Sequence, residues 1–282
     1  MPYVTDARPL IQAAYREGSA LPAFNVCSLE MARGCVLAAQ EMHRPILLQT
    51  YPADIEQASP HVFTQMIRAL ADEVSVPVGL HLDHGRDFAQ VIACLRAGYS
   101  SVMFDGQGLP FEEVLAQTRR LAEITHAAGA CLEVSAESFG VPEVEDNVLE
   151  TTDPFHAAQV REAGADMVAC AVGSEHGHAS RLDLALLYSV ANAVKGPLVL
   201  HGGSGIQLDD LRAALPCGVV KVNVGSALYR AVLDAWREAG AGMSHRQGST
   251  RVRGAVREVA RKYIERLSPQ SGPQPLIQEL QP

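Results

Sequence analysis

The feature that most constrains this chain is an alternation. Short, almost wholly apolar β-rich runs recur at Leu21–Val26, Pro45–Thr50, Val76–Asp83, Ser101–Asp105, Ala130–Ala136, Met167–Val172, Pro197–His201 and Val219–Val224. Strands that carry apolar residues on both faces are strands buried on both faces, which is how parallel sheets read. Between them lie segments of helical period, among them Ser28–Met42, Pro60–Glu73, Asp87–Ala97, Pro110–Ala128 and Leu182–Val194. Asp153-Pro154 supplies an N-cap followed by proline at the first helical position. Gly98, Gly129, Gly164 and Gly196 each follow a helix and precede a strand, where C-terminal glycines belong. Eight such β–α units predict an α/β fold, a single-domain (β/α)8 TIM barrel. A doubly wound open sheet is the weaker alternative, because no glycine-rich fingerprint follows the first strand. No internal repeat at a solenoid period is visible.

Composition excludes several classes. The 282 residues suit one barrel, and 48% hydrophobic content is enough for a full core. A net charge of −9 argues against a nucleic-acid partner, which selects a basic face. No apolar run approaches the roughly 18 residues that span a bilayer, so no membrane partner is expected. MPYVTDARPL lacks the regions of a signal peptide. Cys27, Cys35, Cys94, Cys131, Cys170 and Cys217 form no C-x-x-C pair and read as reduced thiols of a cytoplasmic protein. The barrel domain is assigned to 1–267. Residues 268–282, rich in Pro, Gln and Ser, read as a flexible tail.

In a barrel, chemistry gathers at the C-terminal ends of the strands. Those ends are unusually polar here: Asn25; His81, Asp83 and His84; Asp105; Ser135 and Glu137; then Ser174, Glu175, His176 and His178; His201 and Ser204; and Asn223 and Ser226. Three histidines from three strands that converge on the axis make a catalytic zinc set with one open position. His84, His176 and His201 are the leading candidates. His81 and His178 compete, and His81 could instead fill the barrel. The glycine-rich turns His201–Gly205 and Asn223–Ser226 close strands 7 and 8, where barrels often hold phosphate on backbone N–H groups. A long acidic stretch, Ser138–Thr152, has the length of a lid.

These residues carry a resemblance. PAFN on the first strand, HLDHG on the third, AVGSEHG on the sixth, then LHGGSG and KVNVGS occur in order on successive strands. From about Leu21 to Leu267 the chain resembles the class II, zinc-dependent ketose-bisphosphate aldolases of the fructose- and tagatose-bisphosphate type. The resemblance implies a carbon–carbon lyase that reversibly cleaves a ketose (bis)phosphate to dihydroxyacetone phosphate and an aldehyde through a zinc-stabilised enediolate. It implies Zn2+ on His84, His176 and His201, with Glu137 as an alternate ligand. Asp83 would be the acid/base at the bond being cleaved, and Glu145 would exchange the C3 proton of the donor half. Gly177, Gly202, Ser204, Gly225 and Ser226 would cradle the donor phosphate, with Asn223 holding the donor and Asn25 nearby. A monovalent cation (Na+ or K+) and a homodimer or homotetramer also follow from it.

The chemistry agrees. Reverse aldol cleavage leaves a carbanion beside a ketone, and a lysine or a metal must accept its electrons. Lys221, the only lysine at a strand end, is expected by alternation to point away from the neighbours of Asn223, which leaves a metal. The chain departs from the family pattern in places. Glu143 competes with Glu145 on the lid, Ser135 replaces a common acidic residue, and Gln107 stands where serine is usual. Tyr51 stands where a serine helps hold the aldehyde's phosphate, and Gly225 where others carry Asp or Ala. These changes cluster on the aldehyde side, so a donor like dihydroxyacetone phosphate is expected, while the sequence leaves open whether its partner is glyceraldehyde 3-phosphate. Two rivals remain: a related zinc lyase acting on a mono- or non-phosphorylated substrate, and a non-catalytic barrel subunit.

Overall fold

A computed structural model describes residues 2–136, 151–174, 178–240 and 242–269. Eight parallel strands close into a barrel in sequence order: β1 (Leu21–Asn25), β2 (Ile46–Thr50), β3 (Val78–Gly85), β4 (Ser101–Phe104), β5 (Cys131–Ser135), β6 (Met167–Ala169), β7 (Leu198–Leu200) and β8 (Val219–Val224). The helices are α1 (Arg8–Glu17), α2 (Leu29–Met42), α3 (Pro52–Ala71), α4 (Phe88–Ala97), α5 (Phe111–Ala127), α6 (Pro154–Glu162), α7 (Leu184–Val194), α8 (Leu208–Ala214), α9 (Ser226–Ala239) and α10 (His245–Leu267). Almost every strand residue is buried, as the unbroken apolar runs require.

Caps set the helix starts. The side chains of Ser28, Asp87 and Asp183 accept from Met31 N, Gln90 N and Leu186 N, and Asp153 accepts from both Phe155 N and His156 N. Two expectations need correction. The helix expected from Pro60 begins at Pro52, with a break at Ser59 (φ 60°). Proline disfavours the helical conformation in the residue before it, and the signal at Pro60 marks a kink inside a longer helix. At the end of α7, Lys195 (φ 46°) and not Gly196 takes the left-handed turn. Strands 6 and 7 are also shorter than read, because the chain leaves the ladder before Val172 and His201.

The barrel interior has two layers. Leu21, Ala23, Leu47, Met103, Cys131, Met167, Ala169 and Val199 form an apolar layer, and α1 seals it from below with Ala7, Ile11 and Ala14. Above it, toward the C-terminal mouth, lie buried polar residues: Asn25, Gln49, His81, Asp83, Glu133, His201, Lys221 and Asn223. Among the described residues no helix is long and apolar enough to cross a membrane. The tail lies outside the described residues from position 270 onward.

Candidate metal and substrate site

Strand period alone would send Asp83 and His84 to opposite faces. The β3–β4 ladder shifts register between Leu82 and Gly85, and His84 takes φ 51°. This irregularity brings both side chains to the mouth, the re-aiming that bulges perform beside active sites. Gly85 permits it, since a Cβ there would lie 2.2 Å from the Met103 carbonyl of β4.

Three amides hold Asp83. Oδ2 accepts from Asn25 Nδ2 at 2.8 Å and Gln49 Nε2 at 2.9 Å, and Oδ1 accepts from Asn223 Nδ2 at 2.8 Å. Gln49 also donates to Asn25 Oδ1 at 2.9 Å. With Asp83 only 4% exposed, these three N–H donors fix both its place and its orientation.

Each of two histidines leans on a carboxylate. His84 Nδ1 lies 2.8 Å from Asp105 Oδ2, and His201 Nε2 lies 3.1 Å from Glu133 Oε1. Such pairs set the tautomer and orientation of metal-ligating imidazoles. With those nitrogens donating, Nε2 of His84 and Nδ1 of His201 are the lone-pair atoms. The two rings meet edge to face, 4.7 Å between centroids. Asp83, His84 and His201 each offer a donor atom, all within 4.8 Å of one another. Two carboxylate-paired imidazoles beside a carboxylate are a donor set that fits a divalent ion. His176 and Gly177, the lid residues Glu143 and Glu145, and the alternate ligand Glu137 lie outside the described residues.

His81 does not join this set. Its Nδ1 bonds Ser101 Oγ at 2.8 Å, deep in the barrel. Burial, and then the Lys221 ammonium, hold its pKa well below the usual histidine value, so the ring is neutral at pH 7. His178 is exposed and lies apart from the donor cluster.

Lys221 corrects an expectation. Residues two apart on a strand share a face, so it points with Asn223 and not away from it. Its Nζ donates to Asn223 Oδ1 at 2.7 Å and pairs with Glu133 Oε2 at 2.8 Å, fully buried. Engaged by two acceptors, the ammonium is a structural cation. Lys221, Glu133 and Gln49 were absent from the sequence-derived site, although a polar residue at an inward position of an apolar strand was a readable signal. Replacing Lys221 with Met leaves the Glu133 carboxylate buried without its cation, and stability falls by about 3–5 kcal/mol. Urea denaturation measures this; a loss under about 1 kcal/mol would show that Glu133 does not depend on the pair.

The turn expected to hold phosphate is packed by three elements. Ser204 Oγ accepts from Ala227 N at 3.1 Å, which docks the turn after β7 onto the start of α9. That contact leaves the hydroxyl proton available to an anion near the positive end of the helix. Tyr263 of α10 donates to the Ser204 carbonyl at 3.1 Å, a brace no local pattern foretold. Gly202 is buried beside this turn, and Ser226 opens α9. Gly225 gives Asn25 room, since a Cβ there would sit 2.8 Å from Asn25 Oδ1. At the end of β2, Tyr51 is 42% exposed, with its ring centroid 5.7 Å from that of His84. Nearby, burial raises the pKa of the Asp54 carboxyl, and the Asp83 charge adds to the effect.

Comparison with known proteins places the whole chain. A fructose-bisphosphate aldolase of Streptococcus pyogenes is 34% identical over 248 residues, covering 83% of each chain. The structure of the YdjI aldolase from Escherichia coli K12 superposes with a TM-score of 0.85 at 28% identity, covering 95% of this chain and 98% of that one. A fructose-bisphosphate aldolase from Campylobacter jejuni, at 21% identity and a TM-score of 0.80 over 94% of both chains, shares the fold. The family profile described as Fructose-bisphosphate aldolase class-II matches residues 5–271. With that match over nearly its whole length, the chain belongs to the class II fructose-bisphosphate aldolase family of lyases.

Proposed function

We propose that this protein reversibly cleaves a ketose bisphosphate into dihydroxyacetone phosphate and an aldehyde, using a divalent metal ion, most simply Zn2+. One observation carries the reading: a carboxylate held by three amides stands beside two carboxylate-paired imidazoles at the C-terminal mouth of the barrel. His84 and His201, with His176, would hold the ion. When bound, such an ion supplies the electron sink for the carbanion left as the carbon–carbon bond opens.

The chain's own groups do the rest. Asp83 takes the proton from the hydroxyl at the bond being cleaved and returns it in the reverse direction. Asn223, fixed by Lys221, orients the donor half, and the Gly202–Ser204 and Gly225–Ser226 turns bind its phosphate. Glu145 exchanges the C3 proton of that half. Tyr51 borders the aldehyde half, in the place where a serine is usual.

Elemental analysis, a chelator titration and assays on fructose and tagatose bisphosphates beside their 1-phosphates test this reading. The bisphosphates are cleaved, the chelator abolishes turnover and added zinc restores it. Metal-free protein at full speed would end the proposal, and preference for a 1-phosphate would reassign the substrate. Glu145→Gln slows C3 proton exchange with the metal still bound; if Glu143→Gln does so instead, the lid register moves by two.

A further inference from the structure

At the opposite end of the barrel, far from the site above, α1, the end of α6 and the segment leading into β7 line a half-open cavity of about 270 Å³. Four cations line it: Arg8, Arg16, Arg161 and Lys195. In a chain with net charge −9 this grouping goes against the overall balance. Two carboxylates stand near. Asp6 takes Arg8 in a bidentate pair, closest at 2.7 Å. Asp166 also lines the cavity, and its Oδ2 accepts from His126 Nε2 at 2.9 Å and from Leu132 N at 2.8 Å. Arg161 donates to the Ala165 carbonyl, which does not neutralise it. Among the described residues neither Arg16 nor Lys195 is paired with a carboxylate. Even counting Asp166 against one of them, two cations stay uncompensated around the cavity.

The wall is built for them. Gly196 lets Arg161 lie against the backbone, where a Cβ would come 2.8 Å from Nε. Lys195 is held in a left-handed turn at φ 46°, a conformation glycine favours. Ile11, Tyr15 and Pro197 give the cavity an apolar side.

We infer that this cavity at the closed end of the barrel binds a small organic phosphomonoester. A phosphate ester carries nearly two negative charges at pH 7, which matches the uncompensated pair, and guanidinium groups suit its oxygens. The apolar side takes the organic part, and the volume limits it to a few carbon atoms or one ring. A simple carboxylate would leave one cation unmatched.

Phenyl phosphate is the probe, titrated calorimetrically into the full-length, metal-loaded protein at low salt. Arg16→Gln combined with Lys195→Gly removes both free cations. Glycine adopts the Lys195 conformation without strain, so the double variant keeps its fold, checked by an unlowered melting temperature, and its turnover. Ser204→Ala perturbs the phosphate turn at the open end and separates the two locations. The expected result is saturable binding that the double variant weakens at least tenfold, that Ser204→Ala leaves intact, and that rising salt weakens. Absence of saturable binding in the parent protein, or binding that the double variant leaves unchanged, would overturn the inference. Neither outcome bears on the aldolase reading, which rests on the other mouth.

Discussion

Asp83→Asn protein turns over its ketose substrate about 10²–10⁴-fold more slowly, the range a positioned acid/base supplies. The replacement is nearly isosteric, and the reason for its effect lies in the donors around the site. Asn25, Gln49 and Asn223 all present N–H groups to the two Asp83 oxygens. An amide at position 83 offers one acceptor oxygen and brings two N–H groups of its own, so at least one buried donor faces another. The proton acceptor at the scissile hydroxyl is lost at the same time. Exchange of the donor's C3 proton, assigned to a different carboxylate, continues in this variant. Steady-state kinetics together with deuterium exchange separates the two roles. Cleavage within threefold of the parent would remove Asp83 from the reaction.

His201→Ala protein is isolated with little bound metal and correspondingly little activity. Losing only the hydrogen-bond partner of a ligand costs about 10–100-fold in metal affinity, and losing the ligand itself costs more. The environment sharpens the effect. His201 is 2% exposed and donates to Glu133, which in turn pairs with Lys221. Truncation leaves Glu133 with Lys221, so the barrel keeps its buried ion pair and the variant folds. Metal content per chain, measured after dialysis against a weak chelator, is the direct readout. An undiminished content would reject His201 as a ligand whatever happened to turnover.

Much of this site was legible in the chain alone, and the particular residues show why. Asp83, His201, Asn25 and Asn223 stand at the ends of apolar runs, and once eight runs imply a barrel, those ends share one face. Gln49, Glu133 and Lys221 were harder to place. They sit inside runs whose apolar average hides them, and only the network gives them a role. For Lys221 the period of two suffices, since it shares a strand face with Asn223. His176 and the lid carboxylates lie outside the described residues, so their assignments still rest on the sequence motifs.

The alternation of apolar strands and amphipathic helices determined the barrel by itself, because strands buried on both faces need helices over the outside and a packed interior within. It also determined which end would carry the chemistry. Tertiary structure alone decided that Asp83 and His84 face the same space, through a register shift between β3 and β4 and a left-handed residue. It alone set Tyr263 behind the Ser204 turn and brought the cations of α1, α6 and the α7–β7 turn around one cavity. The physical reason is the same in each case. Period and propensity are properties of neighbours along the chain, whereas register, bracing and charge clustering depend on groups that meet only when the barrel closes.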